Sequence, residues 1–252
     1  MSPIPEDFWR TLPLAAGVDL LTRDANGLAA FDKPAGVLSH PNSSQDEPRS
    51  LLTCRYDKEA QCFSWKADDG SDRKLWLLNR LDSATSGVIL TAASEKLATA
   101  IREHYLKKQV NKVYQALVFG KPHKNSELWQ DLLAKSTARG QVRTSLIGNV
   151  PAETRYQLIK HTQRTFSTSL IKLEPRTGRS HQLRVQCAKR HSPIVGDQTY
   201  GNFALNRSFA KATKNKRLFL HSLETSFTYE FGGRKFDFKA SAPLPKDFTS
   251  GY

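Results

Sequence analysis

The chain has 252 residues, enough to bury a hydrophobic core without disulfides or a structural metal. Its composition, 38% hydrophobic, 10% aromatic and 25% charged, is globular and excludes wholesale disorder, collagen-like repeats and a coiled coil. Thirty-eight Lys and Arg against 24 Asp and Glu leave a net charge of +14, which points to a polyanionic partner, nucleic acid or an acidic membrane surface.

The excess charge is local. Residues 154–223 hold 14 basic side chains and only two acids, Glu174 and Asp197, whereas the 153 residues before them and the 29 after them are close to neutral. A solvated Lys-rich surface would explain a short basic run, but this one occupies a continuous part of the chain. Cys54, Cys62 and Cys187 form no CxxC pair, and their odd number fits a reduced, cytoplasmic protein. The seven histidines are scattered without an HExxH or a Cys/His quartet, so no metal is expected. Met1 to Arg10 contains Glu6 and Asp7 and no apolar core, unlike a signal peptide. No apolar run is long enough to span a bilayer, so no membrane partner is expected.

In chain order, Ser2 to Asp7 reads as a tail or docking arm, and residues 1–17 as an extension before a domain covering 18–252. Val18–Leu21 and Leu28–Phe31 form a short strand pair, broken by the turn Asp32-Lys33-Pro34-Ala35-Gly36. Residues 41–73 are polar and read as a loop with one short helix or strand. Leu75 to Asp82 is a buried strand, joined through Ser83–Gly87 to a partner at Val88–Thr91. Ser94 caps a helix to about Lys108, with Leu97, Ile101 and Tyr105 on its inner face. Lys112–Phe119, 153–161 and 166–174 are further strands. Ser180 is placed to cap a short helix with Leu183 and Cys187 inward. Phe227–Phe231 and Lys235–Phe238 flank Gly232-Gly233, a strong hairpin signal. Many strands joined by hairpins, with few helices, give an α+β class with a mixed, largely antiparallel sheet.

Two stretches concentrate chemistry. In Leu78-Asn79-Arg80-Leu81-Asp82-Ser83-Ala84-Thr85-Ser86-Gly87, an extended backbone would put Arg80 and Asp82 on one side and Asn79 on the other. Asp82 then stands at a strand end before a tight turn, a rigid mount for a nucleophile or base. Taken alone, the commoner role of such an Asp is to cap its own turn. In Glu174 to Arg184, Arg176, Arg179 and Arg184 sit beside a glycine turn and a helix start. There they could grip phosphates, hold a carboxylate ionised, or simply line a basic loop. Tyr114, on the strand after Lys112, is by itself an ordinary core aromatic.

These blocks, taken together and in order, resemble the RluA-type family of pseudouridine synthases. They are Asp32–Pro41, Asn79–Leu90, Lys112-Val113-Tyr114, Thr177–Arg184, Pro193–Gly201 and Leu220-His221, and the similarity runs from about Val18 to Phe248. The resemblance implies a sheet split into two halves with flanking helices and a cleft between them. It implies isomerisation of uridine in RNA, with Asp82 as the catalytic carboxylate, Tyr114 packing against the target base and Arg184 pairing with Asp82. Arg179 remains an alternative for that pairing. Arg80 and Lys112 are expected to bind substrate. The reaction moves the uracil from N1 to C5 attachment without redox change, so no cofactor is expected. Family members usually have His where Asn79 stands, and larger ones carry an RNA-binding module of the S4 type ahead of the catalytic domain. That module is not expected here, leaving RNA recognition to the basic region, with Lys211, Lys214 and Lys216 as candidates. The expected partner is structured RNA, ribosomal or transfer, and the expected state a monomer. A non-catalytic RNA-binding or ribosome-assembly protein on the same fold is the alternative.

Overall fold

The computed structural model describes residues 4–138 and 141–250. The chain runs through α1 (Glu6–Arg10), β1 (Asp19–Arg23), β2 (Leu28–Lys33), a 3₁₀ turn at Ser44–Arg49, β3 (Arg55–Asp57), β4 (Cys62–Lys66), β5 (Asp72–Leu77), β6 (Ser86–Ala92) and α2 (Glu95–Leu106). It continues through β7 (Asn111–Phe119), β8 (Ser126–Ala138), β9 (Gln141–Gln163), β10 (Ser167–Pro175), α3 (Gln182–Lys189), α4 (Phe203–Thr213), β11 (Leu220–Phe231) and β12 (Arg234–Ser241), and a 3₁₀ turn at Lys246–Thr249 follows. Strand pairing is antiparallel in β1/β2, β2/β6, β3/β4, β4/β5, β5/β6, β7/β10, β9/β10, β8/β9 and β11/β12. With four short helices set among them in the described residues, the class is α+β, as expected. Among the described residues no helix is long and apolar enough to cross a membrane.

Two compact units share the chain: Met1–Val110 with Glu224–Ala242, and Asn111–Leu223 with Pro243–Tyr252. In the first, β6 is buried along its whole length. It has β2 on one edge, and at its end Ala92 also pairs with Trp76 of β5. Helix α2 starts where the Ser94 hydroxyl accepts the Leu97 N–H at 3.3 Å, and it buries Leu97, Ala98 and Ile101 against this core. Full burial of a Leu or Ile side chain such as Leu97 or Ile101 contributes about 1.5–3 kcal/mol. The hairpin β11/β12 adds Phe227, Tyr229, Phe231 and Phe238 to the same cluster. It turns on Gly232 and Gly233 at φ +59° and +74°, the left-handed pair that a two-residue hairpin requires.

In the second unit the order is β7, β10, β9, β8. Phe209 of α4 lies within 6.0 Å, centroid to centroid, of Phe119, Phe166 and Phe219, and Trp129 stacks on Tyr156 at 4.8 Å. The basic segment 154–223 belongs entirely to this unit.

Several expectations are narrowed or corrected. Of the two readings of Ser2 to Asp7, tail or docking arm, the described residues fit the arm: Asp7 pairs with Arg73 at 3.0 Å, and Phe8 and Trp9 just after it are buried. The polar stretch 41–73 holds β3, β4 and the start of β5. β5 ends at Leu77 rather than Asp82 because its ladder with β6 consists of only Trp76 and Leu77. Helix α3 begins after His181, which adopts a left-handed φ of +52°, so Ser180 does not cap it. The long hairpin β8/β9 and helix α4 were not expected.

Candidate active site

The Asp82 segment is a loop braced from below. Leu78 still donates to the Leu90 carbonyl at 3.0 Å, but one residue later the Asn79 side chain takes over, its Oδ1 accepting the Leu90 N–H at 2.7 Å. Beyond that the backbone leaves the ladder. Arg80 is exposed, Leu81 buried and Asp82 half-buried. The Asp82 carbonyl accepts the Thr85 N–H at 2.9 Å, closing a turn.

The bracing comes from residues 33–39. Lys33 is fully buried, and its Nζ donates to the carbonyls of Pro34 (3.0 Å), Val37 (2.7 Å) and Ser83 (3.2 Å). The three protons of an ammonium thus meet three carbonyl oxygens, the satisfaction that a buried lysine needs. Gly36, at φ +97°, donates to the same Ser83 carbonyl at 2.7 Å. The Ser39 hydroxyl donates to the Leu81 carbonyl at 2.7 Å and accepts the Leu81 N–H at 2.9 Å. The residues immediately before and after Asp82 are therefore each tied to the same turn. Nothing in the motif blocks alone assigns Lys33 or Ser39 this role. The available signal was a lysine closing the strand Leu28–Lys33, after four apolar residues and Asp32, just before Pro-Ala-Gly.

On β7, Lys112 and Tyr114 are two residues apart on one face and both half-buried. Tyr114 lies opposite Leu173 of β10. Burial pushes the Lys112 ammonium down to about 8.

Arg184 belongs to α3 and is buried. Its Nε and Nη2 donate to the two carboxylate oxygens of Asp197, each at 2.8 Å, a bidentate pair. Burial pushes the Asp197 carboxyl up, but the Arg184 hydrogen bonds and charge, with the N–H groups of Tyr200 and Thr199, hold it below the usual carboxylate range. The guanidinium lies 5.2 Å from the Tyr200 ring centroid, and the Tyr200 hydroxyl meets His181 Nδ1 at 2.9 Å. Gln182 fixes the preceding turn: its Oε1 accepts from Thr177 Oγ1 and the Arg179 N–H, and its Nε2 donates to the Glu153 carbonyl and Thr154. Arg179 itself is exposed, its Nε donating to the Pro151 carbonyl at 3.3 Å.

Lys211, Lys214 and Lys216 lie at the end of α4 and just past it, all exposed. Arg217, in the same run, is turned inward, with Asp247 at 3.6 Å and the Phe248 ring centroid at 5.2 Å. Arg80 and Asp82 thus share the first unit, and Lys112, Tyr114, Arg179, Arg184 and the three lysines belong to the second. Among the described residues no group of three His, Cys, Asp or Glu side chains could hold a metal ion.

Two solved human structures share this fold. RNA Pseudouridylate Synthase Domain Containing 1 superposes with a TM-score of 0.67 at 19% identity, covering 92% of this chain and 86% of that one. Domain Containing 4 gives 0.63 at 22% identity, covering 92% and 90%. The architecture is therefore that of an RNA pseudouridylate synthase. In sequence, the family described as RNA pseudouridylate synthase matches residues 27–189. The tRNA pseudouridine synthase C of Haemophilus ducreyi is 32% identical over 221 residues, 84% of this chain and 86% of its own. The ribosomal large subunit pseudouridine synthase C of Buchnera aphidicola is 30% identical over 212 residues, 83% of this chain and 63% of that longer protein. The chain belongs to the RNA pseudouridylate synthase family, and its activity is that of an isomerase.

Proposed function

We propose that this enzyme isomerises uridine within a stem-loop of transfer or ribosomal RNA, and that Asp82 carries the chemistry. The observation behind this reading is the bracing of the Asp82 loop: Lys33, Gly36 and Ser39 hold the backbone on both sides of one half-buried carboxylate. A reacting group needs such a rigid mount. The relatives that are synthases of tRNA and of ribosomal RNA supply the substrate class.

In the proposed reaction the target uridine leaves its stack, at a cost of a few kcal/mol. The ring of Tyr114 restores part of that by packing on the uracil. The Asp82 carboxylate acts on the sugar, as nucleophile at the carbon bearing the base or as base at its neighbour, while the N1 bond breaks and C5 bonds to the same carbon. Removal of the C5 proton, with help from the Tyr114 phenol, and protonation of N1 complete the exchange. Arg184 supplies the cationic partner that keeps Asp82 ionised in a desolvated site, and Asp197, by gripping one edge of its guanidinium through Nε and Nη2, fixes its orientation. Arg80, Arg179, Lys112, Lys211, Lys214 and Lys216 contribute positive charge for the RNA backbone. A monomer acting in a reducing, cytoplasmic setting suits the three free cysteines.

Tritium release from C5-labelled uridine in total RNA tests the proposal. Wild-type protein should release it and Asp82→Ala should not. Equal release from both, or none from either, overturns the assignment.

A further inference from the structure

Helix α4 presents an aromatic ring that the fold does not bury. Phe203, in its first turn, is 51% exposed, and it is the one Phe, Tyr or Trp left in the open among the described residues. It borders a cavity of about 370 Å³ in the second unit, whose lining includes Gln198, Arg207 and Lys216 and no carboxylate. That volume is at the lower end of the roughly 300–1,000 Å³ typical of small-ligand pockets.

The lining is built, not incidental. Arg207 follows Phe203 by four residues, so the two share a helix face. Lys216 is brought back beside them because Lys214 ends α4 in a left-handed turn at φ +60°. Gly196, on the opposite wall, has φ +78°, and a Cβ there would land on the Arg217 carbonyl. Asn206 clamps this wall, its Oδ1 accepting the Gly196 N–H at 2.8 Å and its Nδ2 donating to the Asp197 carbonyl at 2.9 Å. Arg207 and Lys216 form no ion pair with any described carboxylate. An open ring, two unpaired cations and a largely apolar lining without a carboxylate suit a π-system that carries a phosphate. None of Asp82, Tyr114 and Arg184 lines the cavity.

We propose that this cavity holds an unpaired nucleotide of the RNA substrate other than the uridine that reacts. Its base stacks on Phe203, and its phosphates meet Arg207 and Lys216. The proposal rests on the RNA-modifying function above and extends it to a second point of recognition.

The test uses the full chain and an end-labelled, single-stranded RNA oligonucleotide of mixed sequence, with affinity measured by fluorescence anisotropy across a salt series. Phe203→Ala should weaken binding about 5- to 100-fold, the loss of one stacked base, without changing the slope of log affinity against log salt. Arg207→Gln and Lys216→Gln should each lower that slope by about 0.7, one phosphate contact on a single strand. Lys235→Gln, an exposed charge on β12 away from the cavity, should keep the wild-type slope. Thermal melting verifies that each variant is folded. Wild-type affinity in Phe203→Ala, or unchanged slopes in both charge variants, overturns the proposal. So does 5′-UMP that binds the cavity and is not displaced by the oligonucleotide, which would make it a site for free nucleotides. If the wild type releases tritium from C5-labelled RNA while Phe203→Ala binds normally, only the second site fails. If the wild type neither releases tritium nor binds RNA, the function itself fails.

Discussion

Replacing Lys33 with Met removes the brace under Asp82 while nearly preserving side-chain volume. In the wild type, Nζ serves three carbonyls at 3.0, 2.7 and 3.2 Å from a position with no solvent exposure. In Lys33→Met the Ser83 carbonyl keeps its bond from Gly36, but the Pro34 and Val37 carbonyls lose the Lys33 donor, and a buried acceptor left unsatisfied costs about 1–3 kcal/mol. Two of them give about 2–6 kcal/mol. Part of this is offset because the variant no longer buries an ammonium, whose desolvation costs several kcal/mol. With about half of the loss returned in this way, the expected net loss is about 1–3 kcal/mol, a sizeable share of the roughly 5–15 kcal/mol that holds a domain together. Urea unfolding measures the loss. Tritium release from the fraction still folded measures the second consequence, a fall in kcat larger than any rise in KM, because the loop that carries the carboxylate has lost its register. A Lys33→Met protein with wild-type stability would refute the role of the three hydrogen bonds, and one with wild-type kcat would refute their link to Asp82.

Asn79→His tests whether position 79 serves the backbone: an imidazole nitrogen can also accept the Leu90 N–H, so tritium release should stay within about tenfold, or about 1.4 kcal/mol of barrier. A rise of about a hundredfold would show direct participation instead. Asp197→Ala strands a buried guanidinium and should cost about 3–5 kcal/mol, read by denaturant unfolding at neutral pH. With the Asp197 carboxyl held below its ordinary range, the wild type keeps this contribution above about pH 3.9 and loses it on further acidification. Its unfolding midpoint should therefore fall toward that of the variant in acid, and parallel pH profiles would count against the pair. For Lys112 the sign is opposite. Its folded value near 8 lies below the unfolded value of about 10.4, so the buried ammonium is penalised below pH 8 and stability rises between those limits. Lys112→Met should raise Tm at pH 7, with the gain fading above about pH 10, and a gain independent of pH would refute this.

Local chemistry made part of the fold legible. The Gly232-Gly233 hairpin and α2, with its serine cap and its apolar residues four apart, depend on signals that neighbours along the chain carry themselves. What escaped depends on partners distant in sequence. Leu75, Leu77 and Leu81 alternate as a strand should, yet β5 stops at Leu77 because only two of its residues find partners on β6. In β8, Trp129, Asp131 and Leu133 are buried while Leu128 and Leu132 are exposed. The buried set includes an acid that Lys189 and Arg190 neutralise, so polarity no longer reported the inward face. Of the candidate catalytic residues, Asp82, Tyr114 and Arg184 stood out through the resemblance of whole blocks. Lys33 did not, because lysine is ordinarily a surface residue and only the three converging carbonyls reveal why this one is inside.

Strand β11 begins in one unit and ends in the other, so the first unit is assembled from two stretches of chain separated by more than a hundred residues. This sets an order for synthesis. When residue 110 has left the ribosome, β2, β6 and α2 can pair and pack, but the face that will meet Phe227, Tyr229, Phe231 and Phe238 is uncovered. It stays uncovered while residues 111–223 are translated, a process taking some seconds at about 5–20 residues per second. The loop carrying Asp82 is therefore supported by a half-finished core until residue 242 emerges. The nascent enzyme is most exposed to aggregation and proteolysis in that interval, and a fragment ending at residue 110 would remain in that condition permanently.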